Sequence, residues 1–482
     1  TRIMGLTREN LKFFLFGPIL LPRQWEGTSM KNQEDNLERR MAVQKYNLLD
    51  DPVKKLFGKY LLPSVSATLV TSIYILADTL MIGRGVGAIG IAALNLLLPV
   101  FSLFFGTGML FGVGGGVLLS ISKGRQQERE AREYFTVALA MAAAMAVFYL
   151  VFGHLFFDPV TRFLGRNESM DLYVRQYGRV LVTGAPVFVF SGFLQAFVRN
   201  DRAPKTAMVG VISGGVANVV LDYIFIFPMG MGMAGAAAAT VMGSVITLAI
   251  LLTHLFSPQN TLKVVKGAQW KKAGEVAVNG LASFLLEMSN GVVTFLFNRQ
   301  LLRYVGDLGV VVYGIISNSA LIVNSISNGI SQALQPILAT NFGAGKKERL
   351  KEARHLGEIT VTITGIFFMA AGLLFPGLVT AAFVEPTQEI LAMSIPAVRI
   401  YFIAFLGMGF NIVYSTWFQS MMQPKYSLLI CLMRGLILNS ILVFILPILF
   451  GVTGIWATMP AAEFVTLGVC RWLLWREKKK VS

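Results

Sequence analysis

The sequence predicts an all-α polytopic membrane protein. Twelve transmembrane helices fall into two six-helix lobes related by a pseudo-two-fold axis along the membrane normal. Three observations carry this expectation. The 482 residues are 55% hydrophobic and only 14% charged, with mean hydropathy +0.63, too few charges to clothe a soluble protein of this length. Apolar runs of about 20 residues recur along almost the whole chain, each long enough to cross ~30 Å of hydrocarbon as a helix. The chain also repeats itself. The alternating strands of a β-barrel, ~10 residues each, are absent.

Taken in order, the spans are 58–82, 88–121, 133–157, 172–198, 206–227, 232–256, 275–302, 310–341, 356–382, 393–421, 426–449 and 452–474. The second and eighth are long, which implies tilt. Basic residues fill alternate loops: Lys54, Lys55 and Lys59 before the first span, Lys123, Arg125, Arg129 and Arg132 after the second, Arg199, Arg202 and Lys205 after the fourth. The pattern continues with Lys263, Lys266, Lys271 and Lys272 after the sixth, Lys346, Lys347, Arg349, Lys351 and Arg354 after the eighth, and Arg476 to Lys480 at the end. The positive-inside rule then places both termini in the cytoplasm. The domains expected are an N-terminal cytoplasmic extension (1–54), a first lobe (55–256), a basic cytoplasmic linker (257–274), a second lobe (275–475) and a basic tail (476–482). Within the extension, Phe13–Pro22 is too short to span, and it lacks the small-residue cleavage site of a signal peptide. Met30, followed by Lys-Asn-Gln-Glu-Asp, reads as a more natural start, which leaves residues 1–29 in question as native sequence. Residues 1–50 are expected to be poorly ordered or loosely surface-bound.

The repeat rests on glycines and prolines. Gly85, Gly108 and Gly124 recur as Gly306, Gly329 and Gly345. Pro204-Lys205 recurs as Pro424-Lys425, Gly232-Met-Ala-Gly235 as Gly451-Val-Thr-Gly454, and Asn218 as Asn439. Six spans per copy give both copies the same membrane orientation, hence an axis along the normal. In this register Asp78 corresponds to Arg299 and Asp222 to Val443.

The net charge of +16 reflects loop topology and not a nucleic-acid surface. Cys431 and Cys470 imply neither a disulfide framework nor a metal site. His154, His254 and His355 are scattered near span ends, no catalytic grouping appears, and the chain is not expected to be an enzyme. Gly112-Val-Gly-Gly-Gly116 lies inside an apolar helix, where close helix packing explains it better than phosphate binding.

The polar residues inside the spans are the informative ones, because an ionisable side chain at the bilayer centre costs roughly 2.5–3.5 kcal/mol on insertion scales. Helix rise puts Asp78 roughly 7 Å, Asp222 roughly 9 Å and Thr240 roughly 12 Å below the outer surface. Asn218 and Asp222, at i and i+4, share a face. Two neighbouring carboxylates in low dielectric cannot easily both ionise, so a proton or a cation such as Na+ must join them. Pro63 either bends the first span or opens it near its cytoplasmic end. The second half does not duplicate the acids. It carries Glu287 in the seventh span and Arg434 in the eleventh, at depths that allow a Glu287–Arg434 pair, with snorkelling of Arg434 as the alternative.

The segments Ile75-Leu-Ala-Asp78-Thr-Leu-Met-Ile-Gly83, Arg199-Asn-Asp-Arg-Ala-Pro204-Lys205, Asn218-Val-Val-Leu-Asp222-Tyr-Ile-Phe and Gly235-Ala-Ala-Ala-Ala-Thr240 resemble the MATE (multidrug and toxic compound extrusion) transporters. The likeness is greatest to the DinF-like and MepA-like bacterial branch, over residues 55–475. The resemblance implies two lobes around a V-shaped cavity, alternating access and a bacterial inner-membrane location. It also implies export of lipophilic, mostly cationic compounds driven by H+ or Na+, with no cofactor. Asp78, Asn218, Asp222 and Thr240 match the family's first-lobe cation site, which could hold Na+. Pro63 matches its helix-bend proline, and Tyr74 and Glu287 match cavity positions. Arg202 stands where the family often has Gly, a departure expected to matter little. Membrane lipid surrounds the protein, nucleic acid is not a partner, and a monomer is expected. The competing reading is a flippase for a lipid-linked saccharide or polyprenyl phosphate, which would need several cavity arginines. Arg299 and Arg434 are its candidates.

Overall fold

A computed structural model of the protein describes residues 47–481, and the expectations for residues 1–46 lie outside the described residues. The helices are α1 (Val53–Gly85), α2 (Ala88–Gly124), α3 (Glu128–Leu155), the short α4 (Phe157–Phe163), α5 (Asp171–Thr183), α6 (Ala185–Asn200), α7 (Pro204–Ile226) and α8 (Gly232–Leu252) in the first half. The second half has α9 (Lys272–Tyr304), α10 (Asp307–Gly343), α11 (Lys347–Leu374), the short α12 (Pro376–Ala381), α13 (Gln388–Phe402), α14 (Ala404–Ser420), α15 (Pro424–Leu432), α16 (Leu438–Phe450) and α17 (Val452–Val481). Among the described residues, eleven helices or continuous helix pairs are long and apolar enough to cross a membrane. Counting α5 and α6 as one span bent by 52° at Gly184 makes twelve. The ninth span lies earlier in the chain than expected, Lys347–Leu374 in place of 356–382. Pro376 lacks an N–H and cannot continue α11, so it opens the separate helix α12.

Each half has an aromatic core. Phe193 and Phe197 pack at 4.7 Å, with Phe135 edge-on to Phe197 at 5.1 Å. Phe402 and Phe405 pack at 4.7 Å in the second half. The halves meet along α1, α2, α9 and α10, where glycine removes every obstacle between backbones. A Cβ on Gly114 would overlap the Val276 carbonyl of α9, and one on Gly280 the Leu110 carbonyl of α2. Gly124 faces the Thr340 carbonyl and Gly343 the Ile121 carbonyl in the same way. This seam lies toward the end of the bundle that carries Lys54, Lys55 and Lys59, here called the basic end.

Backbone geometry fixes the internal register. Gly87 (φ 93°) opens α2 as Gly306 (φ 89°) opens α10, and Gln126 (φ 63°) ends α2 as Gly345 (φ 70°) ends α10. Arg202 (φ 65°) and Met422 (φ 55°) match, as do Gly232 (φ 54°) and Gly451 (φ 59°). Gly85 therefore corresponds to Tyr304 and not to Gly306. The glycine-only alignment was two residues out across the first spans, and Asp78 corresponds to Phe297 rather than Arg299. Between α15 and α16 the chain forms a π-helical turn, Met433–Ile437, which absorbs one extra residue. That turn explains how Pro424 and Asn439 can both align, with Pro204 and Asn218.

One terminal expectation changes. Residues 47–50 are docked, not loose. Leu48 is buried, its carbonyl accepts from Asn341 and Arg349 at 3.1 Å, and Arg349 also donates to the Asp51 carbonyl at 2.6 Å. The basic linker is clasped against the first half through Asp201, which accepts bonds from Lys123, from His254 (2.8 Å) and from the N–H (2.8 Å) and hydroxyl of Thr261. Val265 N–H donates to Thr136, and Lys272 pairs with Glu133 at 2.7 Å. His254, near the end of the sixth span, is thus a buried structural partner. Burial pushes the Asp201 carboxyl up, but these bonds outweigh it and leave it below the usual carboxylate range. With a depressed folded value, its contribution is complete above the unfolded pKa and fades only as the pH falls through the folded one.

Candidate cation and cargo site

The site is built where α1, α5, α7 and α8 converge. Close approach of α7 and α8 sets it: Gly214 and Gly243 face each other, and a Cβ on Gly243 would lie 2.7 Å from the Gly214 carbonyl and 2.9 Å from Cβ of Asn218. The absent side chains let Asn218 and Asp222 reach the α8 face that carries Thr240. Asp78 of α1 lies beside Asp222, and Asn218 adjoins Asp222 one turn away. Asp222 is fully buried and Asp78 and Asn218 nearly so. Thr240 donates to its own helix at the Ala236 carbonyl, 3.1 Å away.

The buried polar atoms here face only one another. Asp78 and Asn218 adjoin Asp222, yet Asp78 Oδ1, both carboxylate oxygens of Asp222, and both Oδ1 and Nδ2 of Asn218 are buried without a well-formed hydrogen bond. Buried polar groups are paired in native proteins, and an orphan costs about 1–3 kcal/mol. Two adjoining buried acids with an amide and a hydroxyl form a group that can take up a proton or a hard cation. The donor set is all oxygen with two acids, which suits H+ or Na+ and excludes soft metals.

Tyr74, one turn before Asp78, lies near both Asp78 and Glu287, and packs against Gly215 of α7. Glu287 of α9 sits against α2, its Cβ 3.4 Å from where a Gly106 side chain would begin. Tyr74 thus bridges the first-half acids to the second-half Glu287. Sequence reasoning missed Tyr177 of α5, which adjoins Thr240 and lies near Asp78 and Asp222. Its signal was available, a phenol on the buried face of a span. α1 is one continuous helix through Pro63.

The second half fills the equivalent position with hydrocarbon. Asp78, Asn218, Asp222 and Thr240 correspond to Phe297, Asn439, Val443 and Met459. Phe297 and Val443 are fully buried in one apolar cluster that Met459 covers, and Phe297 stacks on Tyr313 at 5.0 Å. Arg434 does not pair with Glu287, as the depths had suggested, nor does it snorkel. Its Nη2 meets Glu463 Oε1 at 2.9 Å and its Nε lies 3.2 Å from the same oxygen, while Asn411 donates to Glu463 Oε2 at 2.7 Å. The π-helical turn directs Arg434 toward α17, whereas Glu287 faces α2. Glu463 was the residue overlooked, a lone acid in an otherwise apolar twelfth span.

Comparisons with known proteins identify the family. A model of the MatE family matches residues 63–224 and 268–445. The multidrug export protein MepA of Staphylococcus aureus (strain NCTC 8325 / PS 47) is 26% identical over 430 residues, covering 88% of this chain and 94% of its own. Among solved structures, a ligand-bound form of the MATE multidrug transporter DinF-BH is 27% identical with TM-score 0.81, over 90% of this chain and 99% of that one. An outward-facing multidrug resistance MATE family transporter of the MOP superfamily superposes with TM-score 0.83 at 22% identity, over 90% and 98%. The chain belongs to the MatE family, and is a multi-span membrane transporter rather than an enzyme.

Proposed function

We propose that the protein is a secondary antiporter that exports lipophilic, mostly cationic compounds in exchange for H+ or Na+. The observation that carries this is the group of buried oxygens on Asp78, Asn218 and Asp222 that lack well-formed hydrogen bonds. The basic end is cytoplasmic by the positive-inside rule, in a bacterial plasma membrane, and the protein works as a monomer. In this arrangement the glycine seam closes the cytoplasmic end.

A cation or proton that joins Asp78 to Asp222 neutralises two facing acids and lets α1 and α7 approach. Pro63, which offers no N–H to the helix ladder, gives α1 a place to bend as they do. Coupling needs occupancy to favour one global state over the other. Cargo lodged near Tyr74 and Glu287 would oppose that bent form, so cation and cargo antagonise each other, as antiport demands. The flippase reading depends on cavity arginines. Arg434 is taken up by Glu463 and Arg299 is an exposed residue near the end of α9, so neither supplies a cavity charge and the acids favour cationic cargo. The test is efflux of a fluorescent cation from loaded proteoliposomes under an imposed pH or Na+ gradient. Transport under one gradient supports the reading. Gradient-independent movement of a lipid-linked saccharide, with no cation efflux, would replace it.

A further inference from the structure

Among the described residues, one buried charge is left without an opposite. Arg199 stands in the last turn of α6 and is 3% exposed. Its hydrogen bond is a long one, 3.5 Å from Nη2 to the Gln195 carbonyl of its own helix. Among the described residues no carboxylate pairs with it. Lys123, Lys272 and Arg434 are comparably buried, and each holds a carboxylate. Desolvating a guanidinium is costly unless an anion compensates it.

Arg199 lines a small cleft whose walls come from both halves: Pro63 and Ser64 of α1, Gln195 of α6 and Pro204 of α7 on one side, and Gln332 of α10 on the other. The hydroxyl of Ser64 is buried there and has no partner. The donors available are therefore guanidinium N–H, a serine O–H and side-chain amides, with no acid among the lining residues. The free space is that of about one water molecule. A water there would accept a bond but leave the charge uncompensated, whereas a small anion would also compensate it.

We propose that this cleft binds one chloride ion between the two halves at the basic end. The guanidinium supplies the charge, and Ser64 with the glutamine amides completes a shell of N–H and O–H donors. Because α10 closes the cleft, the ion belongs to the arrangement in which the basic end is shut. When the halves part there, water reaches Arg199 and the ion is no longer needed. Chloride then favours this arrangement, through a site on the opposite side of the bilayer midplane from the acids of α1 and α7.

The experiment is thermal unfolding of the full-length protein in detergent, with sodium chloride replacing sodium gluconate at constant Na+, ionic strength and pH. The unfolding temperature should rise saturably with chloride and with bromide. Arg199→Gln should abolish the response, and Ser64→Ala should move its midpoint several-fold upward. Equal unfolding temperatures in gluconate and chloride would mean a water-filled cleft and overturn the proposal. So would a chloride response retained by Arg199→Gln, or a phosphate response as strong as the chloride one. Should Arg199→Gln not fold, bromide anomalous scattering from wild-type crystals decides the matter. A peak within hydrogen-bond distance of Arg199 is expected, and its absence at saturating bromide refutes the site.

Discussion

The sharpest prediction is Asp222→Val, because the protein carries its own control. The second half already has valine at that position, Val443, fully buried in an apolar cluster. Asp222 is fully buried and neither of its oxygens has a well-formed hydrogen bond. Each orphan costs about 1–3 kcal/mol, and replacing buried ionisable groups with packed hydrocarbon is often neutral or stabilising by about 1–4 kcal/mol. The valine variant should thus be more stable than wild type in cation-free buffer near neutral pH, by about 2 kcal/mol. For a lobe of roughly 200 residues each kcal/mol moves the unfolding temperature by about 2–4 °C, so a rise of several degrees is expected. Na+ or mild acid should stabilise the wild type toward the variant, by about 2.7 kcal/mol at a hundredfold excess over Kd, while leaving the variant unmoved. Gradient-driven efflux by the variant should be lost. The measurements are unfolding scans across Na+ and pH, paired with proteoliposome transport. A variant that unfolds earlier than wild type in cation-free buffer would show that Asp222 is a satisfied structural group, and one that still transports would remove it from the coupling machinery.

Asp78→Asn should abolish gradient-driven export without loss of fold, and Glu287→Gln should give a milder, substrate-dependent defect. If Glu287→Gln is the more damaging across several substrates, coupling resides in the second lobe. Arg202 holds a left-handed conformation at φ 65°, so Arg202→Gly should stabilise by about 1 kcal/mol, read as a later unfolding transition. That revises the expectation that this departure matters little. Glu463→Gln should destabilise by about 3–5 kcal/mol, because it strands the buried Arg434, whereas an Arg434→Leu/Glu463→Leu pair should recover much of the loss. Equal damage from the single and double changes would mean that packing, not charge, is at stake.

Much of this was legible in the sequence because the bilayer simplifies the problem. A span must be apolar and about 20 residues long, so the spans and the buried acids at Asp78 and Asp222 could be read from hydropathy and spacing. What failed was fine register. Gly85 and Gly306 look alike as letters, but one closes a helix and the other opens one with φ 89°. Only backbone conformation separates those jobs. The pairing of Arg434 failed for a similar reason. Depth along a helix follows from counting residues, while azimuth around it does not when a π-helical turn intervenes. Tyr177 escaped notice because a phenol carries no charge, and hydropathy barely registers it.

The π-helical turn at Met433–Ile437 also has a historical meaning. In water, an extra residue in one copy of a duplicated gene can bulge into a loop. Inside hydrocarbon a bulge would strip backbone groups of their partners, so the helix must swallow the newcomer. The cost is a rotation: everything before the turn swings about its axis relative to everything after it. Asn439, after the turn, holds the position equivalent to Asn218, while Arg434, within it, faces Glu463. One extra residue is thus enough to break the equivalence of the twin lobes around the eleventh span.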